Sequence, residues 1–164
     1  PAPLLPGFDF ARFGRAPARF DEAELGALNQ RIVHMLDYEA VKDRLPDGMD
    51  AAAWAAIRPN LEKVNQVRDW WLVVTGPLDV PALEAEDRAF IGEAIDALAA
   101  LPWGNEVWKE WTGVLKERTG RKGKSLFLPL RLALTGREHG PDMGALLPLI
   151  GRDAALKRLR HAAG

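Results

Sequence analysis

Four basic side chains surround one apolar segment near the C-terminal end of the sequence. Residues 122–141 read KGKSLFLPLRLALTGREHGP and contain Lys122, Lys124, Arg131 and Arg137. Lysine binds phosphate as a point charge, whereas the planar guanidinium of arginine can also bond a base edge through two donors. These residue types indicate either a nucleic-acid contact or an ordinary amphipathic helix with a solvated charged face.

The leucines of this segment predict a helix that holds the basic residues. Leu126, Leu130 and Leu134 follow one another at intervals of four, so they share the face expected to pack into the core. Arg131 falls on a different face, next to the loop 136–141. That loop begins with glycine and ends with proline, which is typical of chain that follows a helix.

The sequence contains no pattern typical of catalysis or of metal binding. The fragment GRKGKS resembles part of a phosphate-binding loop, but Arg118 replaces its first glycine, and the preceding segment is predicted to be helix. The three histidines (His34, His139 and His161) are far apart, and the absence of cysteine excludes disulfides and thiolate metal sites. We therefore predict no catalytic, cofactor-binding or metal-binding residue in this chain.

Charge is distributed unevenly along the 164 residues. Residues 1–111 carry a net charge of −8, whereas residues 112–164 carry +7. A basic third of this kind indicates contact with a polyanion, although a dipolar surface without a partner is the alternative. No apolar run reaches the roughly 18 residues of a membrane helix, so we expect no membrane contact and a cytoplasmic location.

Hydrophobic periodicity predicts an all-α chain, since no run of alternating β-branched residues occurs. The first helix is predicted at residues 22–36, capped by Asp21, with Leu25, Leu28, Ile32 and Leu36 as its apolar stripe. Further helices are predicted at about 37–45, 50–58, 60–74, 84–100, 105–119, 142–149 and 151–161, with caps at Asp37, Asp50, Asn105 and Asp142. The pair Trp70-Trp71 should point in two directions, one ring packing inside and the other against the next group of helices or into solvent.

Residues 122–141 and the LLPLIGRDAALKRL segment that follows resemble the C-terminal end of bacterial glutamyl-tRNA synthetases. Members of that family carry a closely similar PLRxALTG segment, then a short loop, a leucine-rich helix and a final basic helix. GRAPARFDEAEL near the N-terminus and RPNLEKV in the middle are similar to segments of the same family, in the same order. The resemblance therefore involves the beginning, the middle and the end of the chain.

This resemblance implies the anticodon-binding portion of a class I synthetase, a helical cage of two small sub-domains. It places a linker from a missing catalytic half at residues 1–20, the first sub-domain at 21–76 and the second, with the basic helices, at 77–164. The expected partners are glutamate tRNA, through its anticodon loop, and the enzyme's own N-terminal catalytic domain, in a monomer. The HIGH-like and KMSKS-like signatures of that half are absent, so ATP and Mg²⁺ are expected there and no catalysis by this chain alone.

The resemblance also implies roles for particular residues. Arg131 matches the arginine of PLRxALTG that contacts an anticodon base, and Gly140, Pro141 and Met143 match the loop that meets splayed bases. Some family members place an arginine directly after an Arg-Pro pair to discriminate the third anticodon base. Here Arg58-Pro59 precedes Asn60 instead, which leaves open how stringently that base is read.

A second function from another class fits the same residues. The chain could be a non-catalytic helical protein-interaction module whose tryptophans form a docking surface. Anticodon binding predicts the four basic residues of segment 122–141 on one concave face. The alternative predicts a contiguous exposed apolar patch larger than about 600 Å².

Overall fold

The computed structural model describes residues 22–164, which form helices and loops and contain no β-strand. The described part contains nine α-helices: α1 (Glu22–Met35), α2 (Tyr38–Val41), α3 (Ala51–Ile57), α4 (Val67–Thr75), α5 (Ala85–Ala100), α6 (Val107–Thr119), α7 (Lys124–Thr135), α8 (Met143–Ile150) and α9 (Arg152–Ala163). Short 3-10 helices lie at Lys42–Arg44, Arg58–Asn60 and Val64–Gln66. The predicted all-α class is confirmed, whereas the proposed linker 1–20 and the Asp21 cap fall outside the described residues.

Two of the predicted caps make a side-chain hydrogen bond, whereas Asp37 occupies the N-cap position of α2 without one. Asp50 accepts a hydrogen bond from the backbone N–H of Ala53 at 2.8 Å, and Asp142 accepts one from Ala145 at 3.1 Å. Each bond satisfies one of the free N–H groups at a helix start, which fixes where α3 and α8 begin. The cap predicted at Asn105 is wrong, because α6 begins at Val107, after Glu106.

The helix predicted from residue 60 begins later, with α4 at Val67, after the 3-10 helix of residues 64–66. The side chain of Gln66 accepts hydrogen bonds from the backbone N–H groups of Glu62 and Lys63, at 2.8 and 3.0 Å. A side chain that bonds nearby backbone in this way offers the chain an alternative to the helical ladder. Residues 61–63 therefore form a turn that leads into α4.

One hydrophobic cluster runs through the described chain, from Val33 to Ala162. Trp54 and Trp111 are the largest fully buried side chains. Each indole N–H donates to a backbone carbonyl, that of Leu36 at 3.0 Å and that of Ala94 at 2.8 Å, so neither polar atom is left unpaired in the core.

The apolar stripe predicted for α1 is largely left uncovered by the other described residues. Leu25, Leu28 and Ile32 are exposed, and Val33 is the buried residue of this helix. The helix contacts the rest of the chain through another face, on which His34 Nε2 lies 2.9 Å from the carbonyl oxygen of Leu61. Periodicity located the apolar stripe of α1 but not the surface against which it packs.

The segment between α4 and α5 is the predicted junction of two sub-domains. Arg158 of α9 reaches it and donates to the carbonyls of Val74 and Gly76, at 2.9 and 3.2 Å, as well as to that of Leu134 at 2.9 Å. Helices α3 and α4 also pack against α8, so the two helical groups share an interface. The division at residues 76 and 77 stays a prediction.

Candidate nucleic-acid interface

Helix α7 commits one face to the core, as its sequence predicts. Leu126, Leu130 and Leu134 are fully or almost fully buried. Pro129 lies inside the helix, where its missing N–H leaves the carbonyl of Ser125 without its usual helical donor. The guanidinium of Arg121 donates to that carbonyl at 3.0 Å, so the helix keeps its hydrogen bonding despite the proline.

Arg121 is a structural residue of the basic segment. Its Nη1 donates to Asp87 at 2.6 Å and its Nη2 to Glu86 at 2.9 Å, while the guanidinium lies 4.4 Å from the ring centroid of Phe90. These contacts attach the chain between α6 and α7 to the first turns of α5. The cations that remain exposed in this region, Lys122 and Lys124, are those free to meet a polyanion.

The exposed face of α7 lines a groove of about 340 Å³. We call this the α7 groove, and its lining residues are Gly123, Lys124, Phe127, Leu128, Arg131, Glu138 and His139. Lys124, Phe127 and Arg131 follow one another at intervals of three and four, so they form one row along the helix. The Phe127 ring is 43% exposed and lies between the two cations, an arrangement suited to stacking a base beside phosphate contacts.

Arg131 is held at the inner edge of this groove. Its Nη2 donates to the carbonyl of Pro141 at 3.0 Å, whereas its Nη1 is buried and, within residues 22–164, has no hydrogen-bond partner. Burial lowers the pKa of Arg131, and the negative charge of Asp142 acts in the opposite direction. The ion pairs found among the described residues do not include Arg131. The Nη1 group of its guanidinium therefore keeps its N–H donors unused.

The start of loop 136–141 is fastened to the end of α7. The hydroxyl of the buried Thr135 donates to the carbonyl of Arg131 at 2.8 Å and accepts from the N–H of Arg137 at 3.2 Å. Gly136 ends the helix with φ 67°, and a Cβ there would lie 2.6 Å from the carbonyl oxygen of Asp79. Only glycine fits both the backbone conformation and this close approach.

The far end of the loop packs against Trp70 of α4. A Cβ on Gly140, which has φ 151°, would lie 2.0 Å from Cη2 of Trp70. The guanidinium carbon of Arg137 lies 4.8 Å from the centroid of the same ring, within the range of a cation–π contact. Trp71 turns the other way and donates its indole N–H to the carbonyl of Asp47 at 3.2 Å. The prediction that the pair points in two directions is confirmed.

The prediction that the four basic residues of segment 122–141 share one concave face is wrong, because the structure separates them. Lys124 and Arg131 line the α7 groove, whereas Arg137 lines a different cavity beside α4. Pro141 and Met143 are buried, so they support the loop from beneath. A base contact by either of their side chains stays a prediction.

The predicted third-base residues lie in the 3-10 helix of residues 58–60. Arg58 donates through Nη1 to the carbonyl of Leu36 at 2.8 Å, which ties its side chain to the end of α1, while Asn60 is exposed. Asn60 therefore has an exposed side chain, whereas Arg58 is half-buried and its Nε has no hydrogen-bond partner within residues 22–164.

Phe127, His139 and Trp70 belong to the candidate site, although the sequence analysis assigned none of them to it. The signal for Phe127 was its position three residues after Lys124 and four before Arg131, on a face next to that of the leucines. No comparable signal existed for Trp70, because α4 meets the loop only through tertiary packing.

A larger cavity, of about 610 Å³, lies between the segment 74–80 and helices α8 and α9. Its walls are mainly aliphatic, and the residues predicted to contact RNA do not line it. The α7 groove is therefore the better candidate, because it combines cations with an exposed aromatic ring. In the described part of the chain, no helix is long and apolar enough to cross a membrane, and no acidic or histidine cluster could hold a metal ion.

An all-α fold that carries a basic and aromatic groove is typical of helical nucleic-acid-binding domains. Residues 52–163 match the family described as "Anticodon binding domain", and the chain belongs to this family. The match includes both the α7 groove and the helices that position it.

The sequences of relatives agree with this assignment, and a solved structure shares the fold. The chain is 64% identical over 163 residues to "Glutamate--tRNA ligase 1" of Rhizorhabdus wittichii, a match that covers 99% of this chain and 37% of the relative. It is 55% identical to "Glutamate--tRNA ligase 1" of Zymomonas mobilis, covering 98% of this chain and 36% of that protein. A crystal structure of a glutamate tRNA ligase from Elizabethkingia meningosepticum has the same fold, with a TM-score of 0.74 at 23% identity, over 95% of this chain and 35% of that one. The chain thus spans little more than a third of the length of these relatives.

Proposed function

We propose that this chain binds the anticodon loop of a glutamate-accepting tRNA, as the C-terminal part of a glutamate–tRNA ligase. The family match supports binding of an anticodon, and the names of the relatives support glutamate as the amino acid that the tRNA accepts. The rest of such a ligase carries the catalytic domain, which joins glutamate to the tRNA with ATP and Mg²⁺. The full-length protein is proposed to be a cytoplasmic monomer.

Arg131 lines the α7 groove and has a buried Nη1 without a hydrogen-bond partner within residues 22–164, and this observation carries the proposal. A buried guanidinium N–H without an acceptor costs about 1–3 kcal/mol, which a ligand acceptor would recover. The bond to Pro141 already orients the guanidinium, so little side-chain entropy remains to be lost on binding. Such an arrangement suits an arginine that bonds a base edge while Phe127 stacks on a neighbouring base.

The remaining predicted contacts divide into phosphate and base contacts. Lys122, Lys124 and Arg137 are exposed, and we assign them to the phosphate backbone. Gly140 and Asn60 are assigned to the bases, the first through close approach of its backbone and the second through its exposed amide. In this arrangement Arg58 positions the 3-10 helix that presents Asn60.

The proposal is tested by filter binding of the 164-residue chain to glutamate tRNA, to the same tRNA with a changed anticodon and to an unrelated tRNA. Arg131→Ala should weaken binding of glutamate tRNA by about 10- to 100-fold, because an arginine contact to a base edge is worth about 1–3 kcal/mol. Binding of the changed tRNA should hardly alter.

Arg118→Ala is the matched control, since Arg118 is exposed on α6 and does not line the α7 groove. Equal losses for both tRNAs with Arg131→Ala would indicate a phosphate contact or a structural role and would overturn base reading. The alternative function, a protein-interaction module, has no support in the comparisons with known proteins.

A further inference from the structure

Helix α1 exposes an apolar row that the other described residues do not cover. Leu25, Leu28, Ile32 and Met35 are 45%, 52%, 49% and 80% exposed. Their spacings of three, four and three place them on one face of α1, and we call this row the α1 stripe. Single exposed apolar side chains are ordinary on a soluble protein, but a contiguous row indicates an interaction surface.

The contacts of α1 with the rest of the described chain lie on another face and are few. Val33 is the buried residue of this 14-residue helix. Its polar contacts include those of His34 with the carbonyl of Leu61 and of Asn29 with that of Glu62. Helices of this length are marginal in water and depend on packing of an apolar face for their stability. The face that could supply this packing in α1 is the exposed one.

We infer that the α1 stripe packs against the N-terminal part of the full-length ligase. This inference rests on the proposed function, in which the chain is the C-terminal part of a longer enzyme. The chain covers only 37% and 36% of two ligases that it matches closely, and it corresponds to their C-terminal region. Helix α1 is the described helix nearest in sequence to the remaining part, so the stripe lies where the two parts meet.

This contact would orient the α7 groove relative to the catalytic domain. A tRNA bound by its anticodon must reach the active site with its acceptor end, so a fixed angle between the two parts matters for the reaction. A packed helix face restricts that angle, whereas a linker alone would not.

Met35 provides a direct readout, because the chain has three methionines and the other two are internal controls. Met49 and Met143 are 5% and 2% exposed. In the 164-residue chain, hydrogen peroxide should oxidise Met35 much faster than the other two. In the full-length ligase, the Met35 rate measured by mass spectrometry should fall at least tenfold, while the rates of Met49 and Met143 stay the same.

Two charge-introducing variants of the full-length ligase make the test specific to the stripe. Ile32→Glu should return the oxidation of Met35 at least half-way to its rate in the 164-residue chain, because it places a carboxylate in the contact. Leu72→Glu is the matched control, since Leu72 is 61% exposed on α4 and outside the stripe, and it should leave the Met35 rate unchanged. Circular dichroism of both variants checks that they fold.

Three outcomes would overturn the inference. Equal Met35 rates in the chain and in the full-length ligase would show that the stripe stays uncovered. Protection that is already present in the chain, and is lost when the chain begins at Glu22, would assign the stripe to residues 1–21. Protection that depends on the concentration of the chain would assign it to a second copy.

Binding of glutamate tRNA, measured on the same samples, separates this inference from the proposed function. Anticodon-dependent binding together with an unprotected Met35 overturns only the docking of α1. A protected Met35 in a ligase that binds both the normal and the changed anticodon equally overturns only anticodon reading.

Discussion

At the scale of single residues, the candidate site depends on close contacts between α7, its following loop and Trp70. Arg131 bonds the carbonyl of Pro141, and Gly140 leaves room for the ring of Trp70. The loop is thus shaped by a residue that lies 70 positions earlier in the chain. Substitutions that disturb this packing should change the loop before they change the core.

Gly140→Ala should destabilise the chain by about 2 kcal/mol, because a Cβ would overlap the Trp70 ring at a backbone conformation that disfavours side chains. In a Trp70→Ala background the same change should cost less, since the ring is gone. Urea unfolding of the four proteins in this double-mutant cycle measures the coupling. Additive effects would show that the ring does not restrict the loop.

Lys124→Ala should flatten the dependence of log Kd on log salt concentration by about 0.7, the value for one phosphate contact on a single strand. Preference for the glutamate anticodon should be retained, because a phosphate contact carries no sequence information. Lys116→Ala, at an exposed position on α6 outside the groove, is the control. An unchanged slope for Lys124→Ala would place the phosphate contacts elsewhere.

At the scale of helices, Arg158 connects three elements that the chain order keeps apart. Its guanidinium donates to carbonyls at the ends of α4 and α7 and at Gly76, in the segment that follows α4. These carbonyls lie at or just beyond helix ends, where helical donors are lacking. Burial lowers the pKa of Arg158, but an arginine stays charged at any physiological pH. The hydrogen bonds of Arg158 to these carbonyls are therefore expected to be insensitive to pH near neutrality.

Arg158→Met should lower the free energy of unfolding by about 2 kcal/mol, because it keeps the aliphatic stem and removes three charge-assisted hydrogen bonds. Arg160→Met, at an exposed position on the same helix, should change it by less than about 0.5 kcal/mol. Thermal and urea unfolding of both variants supply the comparison. Similar stabilities for the two would mean that the carbonyls are equally well solvated without Arg158.

At the scale of the whole molecule, only some of the basic residues in the C-terminal third of the sequence line the α7 groove. Lys124 and Arg131 share the α7 groove, Arg137 lies over Trp70, and Arg121 is paired with carboxylates of α5. The net charge of a segment therefore overstates the number of cations available to RNA. The exposed α1 stripe is likewise a surface that we infer to pack against the rest of a longer ligase.

The purified 164-residue chain should not catalyse glutamate-dependent ATP–pyrophosphate exchange, since the proposed catalytic domain lies outside it. Incorporation of labelled pyrophosphate into ATP is the measurement, with the full-length ligase as the positive control. Exchange above background by contaminant-free chain would contradict the proposed division of labour.

The sequence alone determined the helical class, most helix positions and the core face of α7. The local signals were leucines at intervals of four, aspartate caps and glycine stops. Asp50 and Asp142 cap α3 and α8, and Gly136 ends α7, as these signals predict. The PLRxALTG segment likewise predicted the family, because it closely resembles a segment of that family and the other similar segments occur in the same order.

Only the tertiary structure decided which apolar stripes are covered and which cations are free. The stripe of α1 has the same periodicity as a core face, yet its covering surface is absent from residues 22–164. Arg121 and Arg131 are both arginines of one basic segment, but the first is neutralised by Asp87 and the second keeps an unpaired donor. Such differences arise from contacts between residues that are distant in sequence, and spacing along the chain carries no information about them.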